Sequence, residues 1–239
     1  MDPKLLAESG ILLVDKPPEW TSHDVVNCVR RRFRIKKVGH CGTLDPNATG
    51  LLVILLGRGT RLSSSLTGQD KEYEGTIRLG VETSTQDLEG EVIATADPSS
   101  VTLEAVRTTA ERYVGEIEQI PPMVSAVKKN GKPLYKLARK GIEVEREPRT
   151  IRIDEFRVLG LEGPDIHFRL KCSKGTYVRT LAADLGRDLG CGAYLHSLRR
   201  TRSGRFSVED SYTMDEVKSW EKDDLVEHKI GLEKALTYL

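Results

Sequence analysis

The stretch "GHCGTLDPNATGLLVILLG", residues 39–57, decides how the chain reads. A polar, turn-rich segment with one His, one Cys and one Asp runs straight into the apolar block Leu51–Leu56. That block reads as a buried strand, and the segment before it as a loop. Asp45 stands at its lip, just before Pro46, which pushes the Asp45 backbone towards extended or turn conformations. Gly39, Gly42 and Gly50 bracket it, so the backbone can pack tightly or let a ligand approach. On spacing alone Asp45 reads as an ordinary turn residue. As a reactive carboxylate it needs a partner that fixes its charge. Arg179, in "KGTYVRT", supplies one if the fold brings it near, because a bidentate guanidinium would keep Asp45 ionised and oriented.

Outward from this stretch the chain alternates strands and helices without strict βα repetition. Ile11–Val14 is a short strand stopped by the Pro pair. "TSHDVVNCVRRRFR" is a helix capped by Thr21 or Ser22, with Val25, Val26, Val29 and Phe33 as its apolar stripe. "RGTRLSSSLTG" is a short helix closed by Gly68. "KEYEGTIRLGV" alternates as a half-buried strand. "SVTLEAVRTTAERYVG" is an amphipathic helix capped by Thr102. "RTIRIDEFRVLGL" and "DIHFRLKCS" are strands, the second placing Ile166, Phe168, Leu170 and Cys172 on one face. "KGTYVRTLAADLGRDLG" is a helix ending at Gly190, "HSLRRTRSGRFSVED" is turn and strand, and the tail holds weak helices. Strands outnumber helices, which argues for a mixed α+β sheet rather than a doubly wound one.

The 239 residues suit one large domain or a domain with an appendage, and 38% hydrophobic residues supply a substantial core. The longest apolar run, Leu51–Leu56, is too short to span a bilayer. The N-terminus lacks the long apolar core of a signal peptide. Both features make a cytoplasmic protein the expectation. Cys28, Cys41, Cys172 and Cys191 show no CxxC spacing, and the five histidines no HExxH pattern, so reduced thiols and no metal are expected. The net charge of +1 hides strong segregation. Residues 29–40 carry six Lys/Arg and no acid, residues 123–152 nine against three, and residues 171–205 eight against two. Residues 82–118 carry nine acids against two bases, and residues 207–239 nine against four. Single charge runs usually mark solvated faces; three basic runs on one face would suit nucleic acid.

Five motifs in register carry a resemblance over roughly residues 10–205. "GILLVDKPPEWTS", "GHCGTLDPNATGLLV", "DKEYEGTIRLG", "IPPMVSAVKKNGKPLYKLARKG" and "CSKGTYVRTLAADLG" resemble the TruB-type tRNA pseudouridine synthase family. The resemblance implies a central, mostly antiparallel mixed sheet flanked by helices, with the cleft across its middle and a basic "thumb" insertion near residues 123–152. It implies conversion of the T-arm uridine at tRNA position 55 to pseudouridine without cofactor or metal. Asp45 matches the essential aspartate and Arg179 the arginine that pairs with it. Tyr73 matches the tyrosine that packs on uracil and is placed to help remove the C5 proton. His40 matches the histidine that helps displace the target base. Tyr177 and Leu198 match further pocket positions, and Lys16 with Pro17 the motif that supports the site. Lys128, Lys129 and Lys132 of the thumb are expected to contact RNA. Taken singly, Tyr73 reads as strand packing, Arg179 as a solvated first-turn residue and His40 as a surface loop residue.

The expected organisation is a catalytic domain over residues 1–210 and a short helical tail over 211–239, where many relatives continue into an RNA-binding domain of PUA type. The expected partner is the tRNA T-arm stem-loop, bound by a monomer with no membrane association and no obligate protein partner. Two rivals are a guide-dependent ribosomal RNA pseudouridine synthase and an RNA chaperone that folds tRNA by binding alone. Intact Asp45, Tyr73 and Arg179 favour the enzyme over the chaperone.

Overall fold

The apolar run Leu51–Leu56 lies in a strand with neighbours on both edges. The computed structural model describes residues 8–125, 127–129, 131–138 and 140–238. By compactness they divide into two units, one running up to Tyr73 and resuming at Leu198, the other Glu74–Ser197.

In the first unit, β1 (Gly10–Lys16) is followed by α1 (Ser22–Phe33), β2 (Val38–Cys41) and β3 (Thr49–Leu56). β1 runs antiparallel to β3 from Gly10↔Leu56 to Lys16↔Gly50. β2 runs antiparallel to β3 from Val38↔Leu56 to Cys41↔Val53. Leu51–Leu56 are at most 1% exposed. The run is unbroken because both faces of the strand are covered. Leu52, Ile54 and Leu56 join Leu12 and Val14 of β1 and Val25, Val26, Val29 and Phe33 of α1 in one cluster. Leu51, Val53 and Leu55 join Ile11 and Leu13 in another. Alternate residues of a strand point to opposite faces, so each face takes three.

α1 starts with a capping box. Thr21 Oγ1 accepts from the Asp24 amide at 3.1 Å, and the Asp24 carboxylate accepts from the Thr21 amide at 2.9 Å. The helix ends at Arg34, a left-handed residue with φ 54°. His40, expected on a loop, instead lies in β2. The edge of β3 needs backbone partners, and residues 38–41 supply them. The loop proper is residues 42–48. A 3₁₀ turn (Gly57–Leu62) and α2 (Ser63–Thr67) follow β3.

β4 (Lys71–Leu79) leads into the second unit, which continues with the pair β5 (Val81–Thr83) and β6 (Val92–Thr95) and with α3 (Leu103–Glu111), capped by Thr102. β7 (Gly115–Gln119), the small hairpin β8 (Lys128–Lys129) and β9 (Lys132–Pro133), and α4 (Leu134–Ala138) come next. β10 (Arg149–Glu162) and β11 (Asp165–Cys172) precede α5 (Val178–Asp188). The strands lie in the order β4-β11-β10-β7, with β10 antiparallel to β11 and β7. Ile166, Phe168, Leu170 and Cys172 are at most 1% exposed, so they do share one buried face.

β12 (Ala193–Ser203) returns the chain to the first unit, followed by β13 (Phe206–Ser207), β14 (Tyr212–Thr213), α6 (Met214–Ser219), α7 (Lys222–His228), β15 (Ile230–Gly231) and α8 (Leu232–Leu236). β12 pairs parallel with β3, Arg200 opposite Gly50. β14 pairs parallel with β1, and β15 antiparallel. The tail is less peripheral than its weak helical pattern suggests, because Met214, Val217, Trp220 and Leu225 enter the same cluster as Val25 and Leu52.

The β3–β12 pairing depends on Gly50, whose φ is +95° and whose missing Cβ would stand 2.3 Å from the Arg200 carbonyl oxygen. Gly50→Ala adds a left-handed strain and forces the two strands apart, and is expected to cost more than about 2 kcal/mol. Urea unfolding checks this; a wild-type midpoint would show that the pairing tolerates a side chain.

Candidate active site

Asp45 is half-buried and opens a turn closed by the Ala48 amide on its carbonyl at 3.1 Å. Its neighbours are pinned individually. Ser22, buried at the start of α1, accepts from the Leu44 amide at 2.9 Å and donates to the Leu44 carbonyl at 3.2 Å. On the other side Lys16, fully buried at the end of β1, donates to the carbonyls of Pro46 (2.8 Å), Trp20 (2.6 Å) and Pro17 (2.9 Å). An ammonium has three protons and no acceptor, so three carbonyls satisfy it. The ends of the loop are tied by Arg200, 1% exposed, which donates through Nε to the Leu51 carbonyl (2.7 Å) and through Nη2 to the Gly42 carbonyl (3.1 Å). Burial pushes the Lys16 ammonium down to about 8, and the Asp45 carboxylate opposes that fall.

The surroundings of this loop are apolar. Leu44 and Ala48 belong to the buried cluster of β1, β3 and α1, and Tyr73 and Leu198 pack against that same cluster. His40 is held below the ordinary imidazole range by burial first and then by the nearby Arg200 charge. Its Nδ1 is buried with no hydrogen-bond partner among the described residues. A neutral ring is the form that can lie against an uncharged base without losing hydration.

The second unit holds the remaining expected residues. Arg179, in the first turn of α5, is buried rather than solvated. Its Nη1 stands 3.4 Å from the Asp87 carboxylate and donates to the Thr85 carbonyl at 3.1 Å, while Nη2 donates to the Val124 carbonyl at 2.9 Å. A cation at a helix N-terminus opposes the helix dipole, and these acceptors offset that. Tyr177 caps the same helix. Its amide donates to Gln119 Oε1 at 2.8 Å, and its carbonyl accepts from Gln119 Nε2 at 3.1 Å. Lys129 donates to the Glu145 carbonyl, and Lys132 is exposed. The Lys128 side chain lies outside the described residues.

Sequence reasoning missed four supporting residues. Ser22, Asp87 and Gln119 are polar residues with no local pattern to distinguish them. Arg200 offered a faint signal, since adjacent arginines in a strand must face opposite sides. Arg199 turns to the carboxylate of Asp15 (3.0 and 2.6 Å), while Arg200 turns inward.

A family model described as "TruB family pseudouridylate synthase (N terminal domain)" matches residues 30–178, and one described as "tRNA pseudouridylate synthase B C-terminal domain" matches residues 179–237. The chain belongs to the TruB family of pseudouridylate synthases. Among curated relatives, the tRNA pseudouridine synthase B of Opitutus terrae is 52% identical over 88% of this chain and 87% of its own. That of Syntrophotalea carbinolica is 48% identical over 95% of this chain and 74% of its own. Among solved structures, the chain is similar to one in a Cbf5-Nop10-Gar1 complex, with TM-score 0.77 and 31% identity over 99% of this chain. It is also similar to one in an H/ACA RNP bound to a substrate RNA containing 2′-deoxyuridine, with TM-score 0.74 and 27% identity. It spans 64% and 63% of those two chains. Among the described residues no helix is long and apolar enough to cross a membrane.

For a TruB member, the arrangement around Asp45 offers one carboxylate on a fixed loop with apolar neighbours. The acids next to Lys16 and in α1 are committed elsewhere: Asp15 to Arg199 and Asp24 to the Thr21 cap. Glycoside hydrolysis uses a second carboxylate to manage water, and neither of these is available for that.

The Lys16 cage sets a pH limit. Above about 8 the amine loses a proton and one of the three carbonyls loses its donor. The folded protein gives up this proton before the unfolded chain, whose Lys titrates at 10.5, so stability gains from this group as pH rises between 8 and 9. Turnover is expected to fall over that interval while the melting temperature does not. A parallel loss of both would mean general unfolding rather than loosening of the loop.

Proposed function

We propose that this chain isomerises a uridine in the tRNA T-arm, at position 55, to pseudouridine, acting as a monomer in the cytoplasm without cofactor, metal or obligate protein partner. The observation that carries the reading is Asp45 itself, a lone carboxylate held from both sides by Ser22 and Lys16 and flanked by the cluster on which Tyr73 and Leu198 pack. The relatives named tRNA pseudouridine synthase B support it. A guide-dependent ribosomal RNA synthase and a tRNA-folding chaperone are the rivals; a pure binder gains nothing from a carboxylate anchored this way.

The target base is stacked, so it must first be extruded at a cost of a few kcal/mol. His40, neutral and on the edge of its sheet, takes the vacated space. Asp45 then acts at the sugar, either attacking C1′ or taking the C2′ proton as the N1–C1′ bond breaks. The freed uracil turns and rejoins C1′ through C5, as the Asp45 oxygen leaves C1′ in the first route or the proton returns to C2′ in the second. The C5 proton then leaves, with Tyr73 placed to help, and N1 gains a proton, so nothing is added or lost overall. Water must be kept from C1′ throughout, a demand that Tyr73 and Leu198 suit. Arg179 pairs with Asp45 in this reading, Tyr177 lines the pocket, and Lys128, Lys129 and Lys132 neutralise phosphates.

Asp45→Asn keeps the shape and removes the charge. It is expected to abolish pseudouridine formation in a tRNA transcript while tRNA affinity stays within a few-fold; turnover comparable to wild type sinks the assignment. Arg179→Lys should also fail, since a point charge cannot reproduce a planar fork. Arg179→Ala should additionally lose about 3–5 kcal/mol of stability, because Asp87 would be left without its buried partner. Full activity of the lysine variant would remove Arg179 from the mechanism.

A further inference from the structure

In the second unit the loop between β5 and β6 passes through Gln86, whose φ is +64°. A non-glycine residue in this left-handed region is strained, and Gln lacks the tolerance for it that Asn and Asp have. The loop closes without the Gln86 side chain. The Gln86 amide donates to the Thr83 carbonyl at 3.1 Å, the Thr83 hydroxyl to the Asp87 carbonyl at 2.6 Å, and the Glu89 amide to Asp87 Oδ1 at 3.1 Å. Glycine would adopt that backbone without strain, so the side chain kept there serves something other than the turn.

What it serves lies on α5. Gln86 Oε1 accepts from the Thr180 hydroxyl at 2.9 Å, and Thr180 is buried. The residues on either side of Gln86 both meet the residue before Thr180. The Thr85 carbonyl accepts from Arg179 Nη1 at 3.1 Å, and the Asp87 carboxylate stands 3.4 Å from the same nitrogen. Three consecutive loop residues thus meet two consecutive helix residues, with the left-handed one in the middle. The Gln86 carbonyl in turn accepts from the Leu195 amide of β12 at 3.0 Å. Gln86 therefore fastens the loop to β12 through its backbone and to α5 through its side chain. A guanidinium on a long side chain is only as fixed as its acceptors, and two of these acceptors ride on that loop.

We propose that Gln86 is a positioning residue: by bonding Thr180 it holds residues 85–87 in register with α5, so that Thr85 and Asp87 fix the orientation of the Arg179 guanidinium. The inference rests on the proposed role of Arg179 in pseudouridine formation, and it adds what sets that side chain's geometry. The effect falls on rate rather than on tRNA binding, because a misplacement of about 1 Å can cost about a hundredfold in rate.

The test measures single-turnover pseudouridine formation in a tRNA transcript at saturating protein, together with tRNA affinity and melting temperature. The variants are Gln86→Gly, Thr180→Val, the two combined, and Thr180→Ser. Gln86→Gly keeps the left-handed backbone and removes the tie; Thr180→Val keeps the shape and removes the hydroxyl. Each is expected to slow the reaction by about tenfold or more, with tRNA affinity and melting temperature close to wild type. The double variant should be no slower than the slower single one, since both remove the same bond. Thr180→Ser, which restores the hydroxyl, should recover the wild-type rate. A wild-type rate in Gln86→Gly overturns the proposal, as do single losses that multiply in the double variant. A loss of rate that tracks a lowered melting temperature also overturns it, by making the bond a structural tie alone. Failure of the underlying reading looks different: wild-type protein would then make no pseudouridine in tRNA at all.

Discussion

The Asp45 loop depends on one buried ammonium. Lys16 is the last residue of β1, and its side chain crosses to three carbonyls: two that follow it in sequence, and one thirty residues later beside Asp45. Removing a cation from water is expensive, and only near-complete hydrogen bonding makes it tolerable. The same condition makes the arrangement rigid, because a shift of the Pro46 carbonyl would leave a buried proton without an acceptor. Arg200 applies the same logic at the two ends of the loop, reaching Leu51 and Gly42 from β12. Gly50 and Gly42, both with positive φ, let the backbone pass against that arginine. The loop that presents Asp45 thus has no regular secondary structure, yet polar contacts from three separate elements fix it.

What the sequence made legible follows from local pattern. Period-two runs announced β4, β10 and β11, and capping residues announced α1 and α3, because each depends on neighbours within a few residues. The apolar run Leu51–Leu56 was readable as buried for the same reason: a strand covered on both faces has no polar phase. His40 was misplaced on a loop because its strand exists only through pairing with β3, a partner its own four residues do not reveal. Arg179 read as solvated because a first-turn arginine usually is; its burial depends on Asp87, Thr85 and Val124, more than fifty residues away. Gln119, and the bonds between Ser22 and Leu44, were invisible on the same ground. Side-chain bonds to distant backbone leave no period, and only the five-motif resemblance pointed to Lys16.

The net charge of +1 hides three kinds of cation. Lys16, Arg179 and Arg200 are buried and bound to carbonyls, so they act as struts. Arg199 and Arg78 are matched bidentately by Asp15 and Asp165 and bring two charges close to neutrality. Lys36, Lys37 and Arg61 are different, for they are exposed to solvent. Composition counts these residues alike, whereas their surroundings assign them to support, to pairing and to the solvated surface.

That separation has a consequence for catalysis. Only interactions that are stronger in the transition state than in the ground state accelerate a reaction, and binding energy from remote parts of a substrate can be spent on distortion at the reacting centre. Extruding a stacked base is such a distortion. Contacts made away from the Asp45 loop can offset it without disturbing the hydrogen bonds that fix that loop. With Lys16 and Arg200 buried on carbonyls and Lys36, Lys37 and Arg61 left in solvent, salt screens the exposed charges while the geometry of the Asp45 loop stays fixed.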